Sequence, residues 1–171
     1  MKKLLVVVDM QEDFISGALD TKEAEAIVPA VVAKIAGFDG DVVYTRDTHT
    51  EDYLNTAEGR KLPVVHCVKD TAGWEIHPEV FRAGAGKTVA VIDKPTFGSG
   101  ELSDFAAAGN YDSIELLGLC TDICVISNAL CLKARLWETP IAVCKDCCAG
   151  VTPESHTNAL AAMTMCQIDI I

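Results

Sequence analysis

Apolar runs and helical patterns alternate along the whole chain. Residues 4–8 form a continuous, valine-rich run, which predicts a strand covered on both faces. Residues 21–36 carry apolar side chains at helical spacing, and the next residue is Gly37, a typical helix end. The further predicted strands are 41–46, 89–93, 114–117 and 141–144, with 168–171 as a candidate sixth, and the further predicted helices are 101–108, 121–137 and 153–167.

This alternation determines the expected architecture. Strands separated by helices at this spacing form right-handed crossovers, which produce a parallel sheet with helices on both faces. We therefore expect an α/β fold with three layers (α/β/α) and a central, mostly parallel sheet of about six strands. Residues 47–87 are long and weakly periodic, but no linker or repeat divides the chain. A single domain over residues 1–171 is expected.

Composition narrows the classes of function. The chain has 171 residues, half of them apolar, which excludes a disordered or fibrous protein. Its net charge of −11 argues against binding of nucleic acid or an anionic membrane, since both need a surplus of Lys and Arg. Neither a signal peptide nor a spanning helix is visible, so a cytoplasmic location with free thiols is expected.

Polar residues follow four of the predicted strands: Asp9, Asp47, Lys94 and the turn 121–124 that ends at Cys124. Each one alone has an ordinary explanation as a helix cap, a turn residue, a surface lysine or a core cysteine. Together they gain weight, because parallel sheets place their sites at the carboxyl ends of the strands.

These residues have the chemistry of a nucleophilic hydrolase. A thiol at the start of a helix faces unpaired N–H groups, so we expect the pKa of Cys124 to be lowered. Asp9 could accept the thiol proton, and Lys94 would keep that carboxylate oriented and ionised. The turn 118–120 offers N–H groups to an oxyanion. The set predicts cleavage of a carbonyl–heteroatom bond through a thioester.

A second polar group lies in the long segment after the second strand. Asp47 and His49 are separated by one residue, and His66 follows. One carboxylate and two imidazoles suit a divalent transition metal with open positions for water or substrate. A lone histidine is more often structural, and we interpret His77 and His156 in that way. Two of the four histidines flank the expected site, which favours a metal there.

Six segments of the chain resemble the isochorismatase-like cysteine hydrolases and, within that superfamily, the nicotinamidases. They follow one another in the family's order, and the pattern G-x-x-T-D-x-C-V is the most specific of them. The segments are VVVDMQEDF (6–14), RDTH (46–49), HCVKDTAGWE (66–75), DKPTFGS (93–99), GLCTDICV (118–125) and DCCAG (146–150).

The resemblance implies roles for the residues at the strand ends. It makes Asp9, Lys94 and Cys124 the catalytic triad. The backbone N–H groups of Cys120 and Cys124 become the oxyanion hole, and a non-proline cis peptide bond falls between Leu119 and Cys120.

The resemblance also implies a metal site. Asp47, His49 and His66 match the ligands of a divalent ion in nicotinamidases, with zinc expected and iron or manganese as alternatives. Glu58 lies close to the position of a fourth ligand in some relatives, and an ordinary loop carboxylate is the alternative interpretation. Isochorismatases and carbamoylsarcosine amidases typically lack this set.

The expected substrate pocket contains a departure from the family. Nicotinamidases usually carry an aromatic residue and a proline directly before the metal-binding histidine, whereas segment 62–65 is Leu-Pro-Val-Val. Phe14 matches the ring-packing phenylalanine of the family. The expected pocket residues are Phe14, Trp74, Phe97 and Ile123.

The predicted function is that of a metal-containing cysteine amidohydrolase, which converts nicotinamide or a similar small primary amide to its acid and ammonia. One alternative is a family hydrolase of another small substrate, such as an N-carbamoyl compound, another amide or a vinyl ether. A catalytically silent ligand-binding relative is the other. The expected partner is the small-molecule amide, and the resemblance implies a homo-oligomer.

Overall fold

Six parallel strands form one sheet at the centre of the computed structural model, which describes residues 1–171. The strands are β1 (Lys3–Val8), β2 (Asp41–Asp47), β3 (Thr88–Lys94), β4 (Ser113–Leu119), β5 (Ile141–Ala149) and β6 (Asp169–Ile170). They are hydrogen-bonded in the order β3-β2-β1-β4-β5-β6, and every pair is parallel. The expected α/β fold with a parallel sheet of about six strands is confirmed.

Six helices pack around this sheet. They are α1 (Glu12–Ile15), α2 (Lys22–Gly37), α3 (Pro78–Ala83), α4 (Gly100–Gly109), α5 (Ile126–Arg135) and α6 (Pro153–Met165). Helix α2 packs on α3, β4 and β5, whereas α5 packs between α4 and α6. None of the helices combines the length and the apolarity that crossing a bilayer requires.

Strand β1 lies at the centre of the sheet, between β2 and β4. Leu4 to Val8 are fully buried, as a continuous apolar run between two layers of helices should be. The last residue of β1, Val8, pairs with Thr45 on one side and with Gly118 on the other. The carboxyl ends of β1, β2 and β4 therefore lie side by side, and the residues that follow these strands converge.

The structure differs from the predicted elements where the sequence pattern is short or interrupted. Helices α1 and α3 and the 3₁₀ turns 53–55 and 72–74 span too few residues to show a helical period. Strand β5 continues five residues past the predicted end at 144, because the polar pair 145–146 interrupts the apolar run without ending the strand. The predicted helix 121–137 begins as a π-helical segment, Thr121–Val125, and ends at Arg135.

Gly118 generates a prediction about this sheet edge. Its φ is +122°, and a Cβ built on it would lie 2.1 Å from the carbonyl oxygen of Val8. The backbone of β1 is hydrogen-bonded on both sides and cannot move away from such a Cβ. We therefore expect Gly118→Ala to lower the free energy of unfolding by about 3 kcal/mol or more. Denaturant unfolding measures this loss.

Gly37 provides the matched control. It lies at the end of α2, and a Cβ there would meet nothing within 4 Å. Gly37→Ala should therefore be neutral or slightly stabilising. Equal effects of the two substitutions would contradict the steric explanation.

Candidate active site

The structure brings Asp9, Lys94 and Cys124 together at the carboxyl edge of the sheet. Nζ of Lys94 lies 2.6 Å from Oδ2 of Asp9 and 3.4 Å from Sγ of Cys124. The hydroxyl of Thr45 donates to Oδ1 of Asp9 at 2.7 Å, which fixes the carboxylate on its other side. All three predicted residues are buried. A thiol, an ammonium group and a carboxylate therefore form one contact group.

The expectation of a lowered thiol pKa is wrong for this site. Burial raises the pKa of Cys124 well above its ordinary value, and the neighbouring Asp9 raises it further, against the opposing effect of Lys94. The helix dipole acts mainly on the first residues of a helix, whereas Cys124 is the fourth residue of its π-helical segment. Both burial and Asp9 thus favour the protonated thiol, so a base beside the sulfur would be needed to form a thiolate.

Burial and neighbouring charges also change the pKa values of Asp9 and Lys94. Burial raises the pKa of Asp9, although Lys94 acts in the opposite direction. Burial alone would lower the pKa of Lys94, but the nearby Asp9, Cys124 and Asp47 raise it above its ordinary value. Lys94 is therefore a permanent cation beside a carboxylate that accepts protons more readily than an exposed one.

The turn before Cys124 has the backbone geometry expected of an oxyanion site. The peptide bond between Leu119 and Cys120 is cis, as the family resemblance implies. The N–H of Cys120 has no hydrogen-bond acceptor within the chain. A buried residue that the sequence did not single out, Asn128, donates to the carbonyls of Cys124 and Phe97 and so joins the turn to the next loop. The signal for it is an asparagine directly before the apolar run 129–132 of the predicted helix.

A second group, the candidate metal group, consists of Asp47, His49, Glu58 and His66. Their ligand atoms all lie within 4.8 Å of one another. Oδ2 of Asp47 lies 2.9 Å from Nε2 of His49 and 3.3 Å from Nε2 of His66. Oε1 of Glu58 lies 3.7 Å from both of these nitrogens. The three residues that the resemblance implies as ligands are therefore neighbours in space, and Glu58, whose role the sequence left open, lies beside them.

These residues fit a divalent transition metal. Oδ1 of Asp47 is buried and has no hydrogen-bond partner, and its nearest charged group is the ammonium of Lys94 at 3.8 Å, so it is free to act as a ligand. Nδ1 of His66 donates to the carbonyl of Val64 at 2.7 Å, so Nε2 is left to act as a ligand. Two carboxylates and two imidazoles are a donor set suited to zinc, iron or manganese.

The carboxylates and imidazoles of the candidate metal group change one another's pKa values. Although burial opposes it, the two histidines hold the pKa of Asp47 well below its usual range. In turn, Asp47 raises the pKa of His66 against the effect of burial. Burial and Asp47 both raise the pKa of Glu58. The attraction between Asp47 and the two imidazoles therefore keeps the Asp47 carboxylate ionised, as cation binding requires.

Gln11 is a buried residue of this site that sequence reasoning missed. Its Oε1 accepts from the N–H of Asp47 at 2.7 Å, and its Nε2 donates to the carbonyl of Asp47 at 2.9 Å and to that of Trp74 at 2.8 Å. The side chain thus holds both backbone groups of Asp47, as a neighbouring strand would. A glutamine three residues after the end of a buried strand is the signal that could have identified it.

A cavity of about 730 Å³ opens over both groups. Its wall includes the predicted Phe14, Phe97 and Ile123, together with Cys124 and His66. The connection between α1 and α2, the segment around Leu62, and Val151 complete the wall. No motif marks the connection between α1 and α2 or Val151, so the sequence did not indicate them, whereas segment 62–65 was expected at the pocket. The further lining residues are Ala18, Leu19, Asp20, Thr21, Asp47, Ala57, Glu58, Lys61, Leu62, Thr96, Cys120 and Val151.

The expectation that Trp74 lines the pocket is wrong. Trp74 is buried outside the cavity wall, and its Nε1 donates to the hydroxyl of Thr48 at 2.8 Å. The guanidinium of Arg46 stacks 3.5 Å from the centre of its ring. Trp74 therefore supports the end of β2, and its proximity to His66 in sequence was misleading.

Comparison with known proteins identifies the family. A family model described as "Isochorismatase domain" matches residues 3–171. The chain belongs to the isochorismatase family. The family resemblance predicted from the six segments is thereby confirmed.

Relatives of this isochorismatase-family chain include nicotinamidases. It is 23% identical to the nicotinamidase of Saccharomyces cerevisiae, over 81% of this chain and 85% of that protein. A nicotinamidase/pyrazinamidase from Bacillus subtilis has a similar structure, with 25% identity, a TM-score of 0.86 and 99% of each chain covered. A pyrazinamidase of Pyrococcus horikoshii, solved in complex with zinc, has 27% identity and a TM-score of 0.81, over 100% of this chain and 99% of that one.

The hydrogen bonds of Gln11 are expected to stabilise the fold of this family member. Gln11→Leu removes three hydrogen bonds and leaves the N–H and C=O of Asp47 buried without partners. We expect a loss of about 3 kcal/mol in the free energy of unfolding, measured in urea. The same change at the exposed Gln167 should cost less than about 0.5 kcal/mol. A Gln11 variant as stable as the wild type would show that these hydrogen bonds are not needed.

Proposed function

We propose that this isochorismatase-family protein is a cysteine amidohydrolase that converts nicotinamide, or a similarly small primary amide, to the acid and ammonia. Its nicotinamidase relatives support a hydrolase of amide carbon–nitrogen bonds. One observation carries the finer proposal. A single cavity touches both the Cys124 thiol and the Asp47, Glu58 and His66 side chains of the candidate metal group.

Acylation begins with transfer of the Cys124 proton to Asp9. The thiolate then attacks the amide carbon, and the carbon–sulfur bond forms while the carbonyl oxygen becomes negative. The N–H groups of Cys120 and Cys124 are proposed to hold that oxyanion. When the carbon–nitrogen bond breaks, Asp9 returns its proton to the departing nitrogen, which leaves as ammonia. Lys94 balances the negative charge of sulfur and carboxylate throughout.

Hydrolysis of the thioester completes the cycle. Asp9, again ionised, accepts a proton from a water molecule that attacks the thioester carbon. The carbon–sulfur bond breaks, the proton passes from Asp9 to the sulfur, and the carboxylic acid is released. The same carboxylate thus serves both half-reactions. Its raised pKa suits repeated proton uptake and release.

Asp47, His49, His66 and Glu58 would hold the metal. A divalent ion held by them would supply a Lewis acid for the polar end of a substrate, directly or through water. We propose zinc, because imidazole and carboxylate donors suit it. The residues contribute beyond ligation, since the hydrogen bond from His66 to Val64 fixes the imidazole in its orientation.

The cavity wall favours a small planar substrate. Phe14 and Phe97 supply aromatic surface, and Ile123 and Leu62 supply aliphatic surface, so a flat apolar ring can be buried between them. The aliphatic Leu62 stands close to where nicotinamidases usually have an aromatic wall. Other small aryl amides therefore belong to the proposed substrate class.

Removal of the thiol is the direct test of the mechanism. We expect Cys124→Ala to reduce ammonia release from nicotinamide by at least about a thousandfold, because no other group forms the thioester. The fold should persist, and circular dichroism can verify it. The exposed Cys131 offers a matched control, and Cys131→Ala should keep wild-type activity. Substantial turnover by the Cys124 variant would exclude the proposed nucleophile.

Metal removal tests the second half of the proposal. Dialysis against a chelator should reduce the hydrolysis of nicotinamide at least tenfold, because the substrate would lose its orienting group. Adding back Zn²⁺, Fe²⁺ or Mn²⁺ separately should restore it, and the rates would rank the ions. A chelator-treated protein that retains full activity would point instead to a metal-independent family hydrolase.

A further inference from the structure

Tyr53 is a fully buried residue beside the candidate metal group, and the mechanism above assigns it no role. Its ring centre lies 4.7 Å from that of His49 and 5.0 Å from that of His66, both in edge-to-face geometry. The two imidazoles are themselves 4.8 Å apart. The three rings therefore form a closed contact group, in which Tyr53 limits how either imidazole can turn.

The backbone of Tyr53 is held firmly. Its N–H donates to the carbonyl of Thr50 at 3.1 Å, and its carbonyl accepts from the N–H of Thr56 at 2.9 Å and from the Thr56 hydroxyl at 2.7 Å. Gly59 packs directly over this carbonyl, since a Cβ there would lie 2.1 Å from the oxygen. The ring of Tyr53 is therefore a fixed support rather than a mobile cover.

The hydroxyl of Tyr53 connects the same support to the cavity wall. It donates to the carbonyl of Leu62 at 2.8 Å, and the N–H of Val64 donates to that same carbonyl at 2.8 Å. The carbonyl of Val64 in turn accepts from Nδ1 of His66 at 2.7 Å. Leu62 lines the cavity. These hydrogen bonds, linked through the backbone of Val64, thus join the hydroxyl, the cavity wall and an imidazole of the candidate metal group.

We propose that Tyr53 is a positioning residue with two separable effects. Its ring orients His49 and His66 for metal binding, and its hydroxyl holds the segment that carries Leu62 against the substrate. The inference rests on the proposed function, in which this group binds a metal and the cavity binds an amide.

Two substitutions separate the effects. Tyr53→Phe keeps the ring and removes only the hydroxyl, whereas Tyr53→Leu removes the ring contacts as well. Tyr44→Phe is the matched control, because Tyr44 is also fully buried and its hydroxyl donates to the carbonyl of Val80 at 3.0 Å, in a contact with α3. Zn²⁺ affinity is measured on metal-free protein by competition with a chromophoric chelator. The absorption bands of bound Co²⁺ report ligand geometry, and steady-state assays give kcat and KM for nicotinamide.

The expected results differ between the variants. Tyr53→Phe should raise KM about threefold to tenfold while kcat changes less than about twofold, because binding contacts at the wall are lost. Tyr53→Leu should weaken Zn²⁺ binding at least about tenfold and alter the Co²⁺ bands, as loss of outer support to metal ligands does. Tyr44→Phe should change neither property, although it loses a comparable hydrogen bond.

Other outcomes would overturn the inference. Zn²⁺ affinity of Tyr53→Leu within about twofold of wild type would exclude the role of the ring, and equal KM values for Tyr53→Phe and Tyr44→Phe would exclude that of the hydroxyl. If Tyr53→Leu fails to fold, Tyr53→Phe still decides the role of the hydroxyl through KM. Tyr53→Met, which removes the ring but keeps an apolar side chain of similar length, then decides the role of the ring through Zn²⁺ affinity. A wild-type protein that binds no Zn²⁺ would instead refute the metal in the proposed function, which distinguishes the two failures.

Discussion

A single buried ammonium group, that of Lys94, connects the two chemical groups of the site. Its Nζ lies 2.6 Å from Asp9, 3.4 Å from the sulfur of Cys124 and 3.8 Å from Asp47. Burying an ammonium group costs several kcal/mol unless negative partners compensate it. Asp9 and Asp47 in turn would repel one another without the cation between them. The geometry of the candidate triad and the stability of this sheet edge therefore depend on the same contacts.

Strand order is what allows this contact to form. Lys94 is the last residue of β3 and pairs with Asp47, the last residue of β2, while Asp9 follows β1 on the other side of β2. Parallel strands bring these chain ends together only if the register is kept, since a slip by one residue would turn each side chain to the opposite face. Leu4 to Val8 of β1 are fully buried, so a slip would move one end of this apolar run out of the sheet. The same strand register is therefore required both for packing of the core and for placement of the site residues.

Much of this arrangement could be predicted from local patterns. The long strands and helices have clear periods, and the polar residues at their ends indicated Asp9, Lys94 and Cys124. The missing parts depend on contacts between distant segments. Gln11 acts by binding the backbone of β2, and Tyr53 acts by packing on two imidazoles, neither of which leaves a periodic signal. The prediction that Trp74 lines the pocket was wrong for the same reason, because nearness to His66 along the chain does not specify the direction of a side chain.

The protonation of Cys124 is where local reasoning and structure differ most, and the difference has a chemical consequence. A helix start alone suggests a thiolate, but burial beside Asp9 keeps the proton on sulfur. Thiols react with oxidants far more slowly than thiolates, so under the proposed mechanism the proton would protect Cys124 between turnovers. In the same mechanism, activation of the thiol would depend on Asp9, whose own pKa is raised by burial. Sulfur and carboxylate can therefore exchange one proton beside the fixed charge of Lys94, which is the property that a two-step acyl transfer requires.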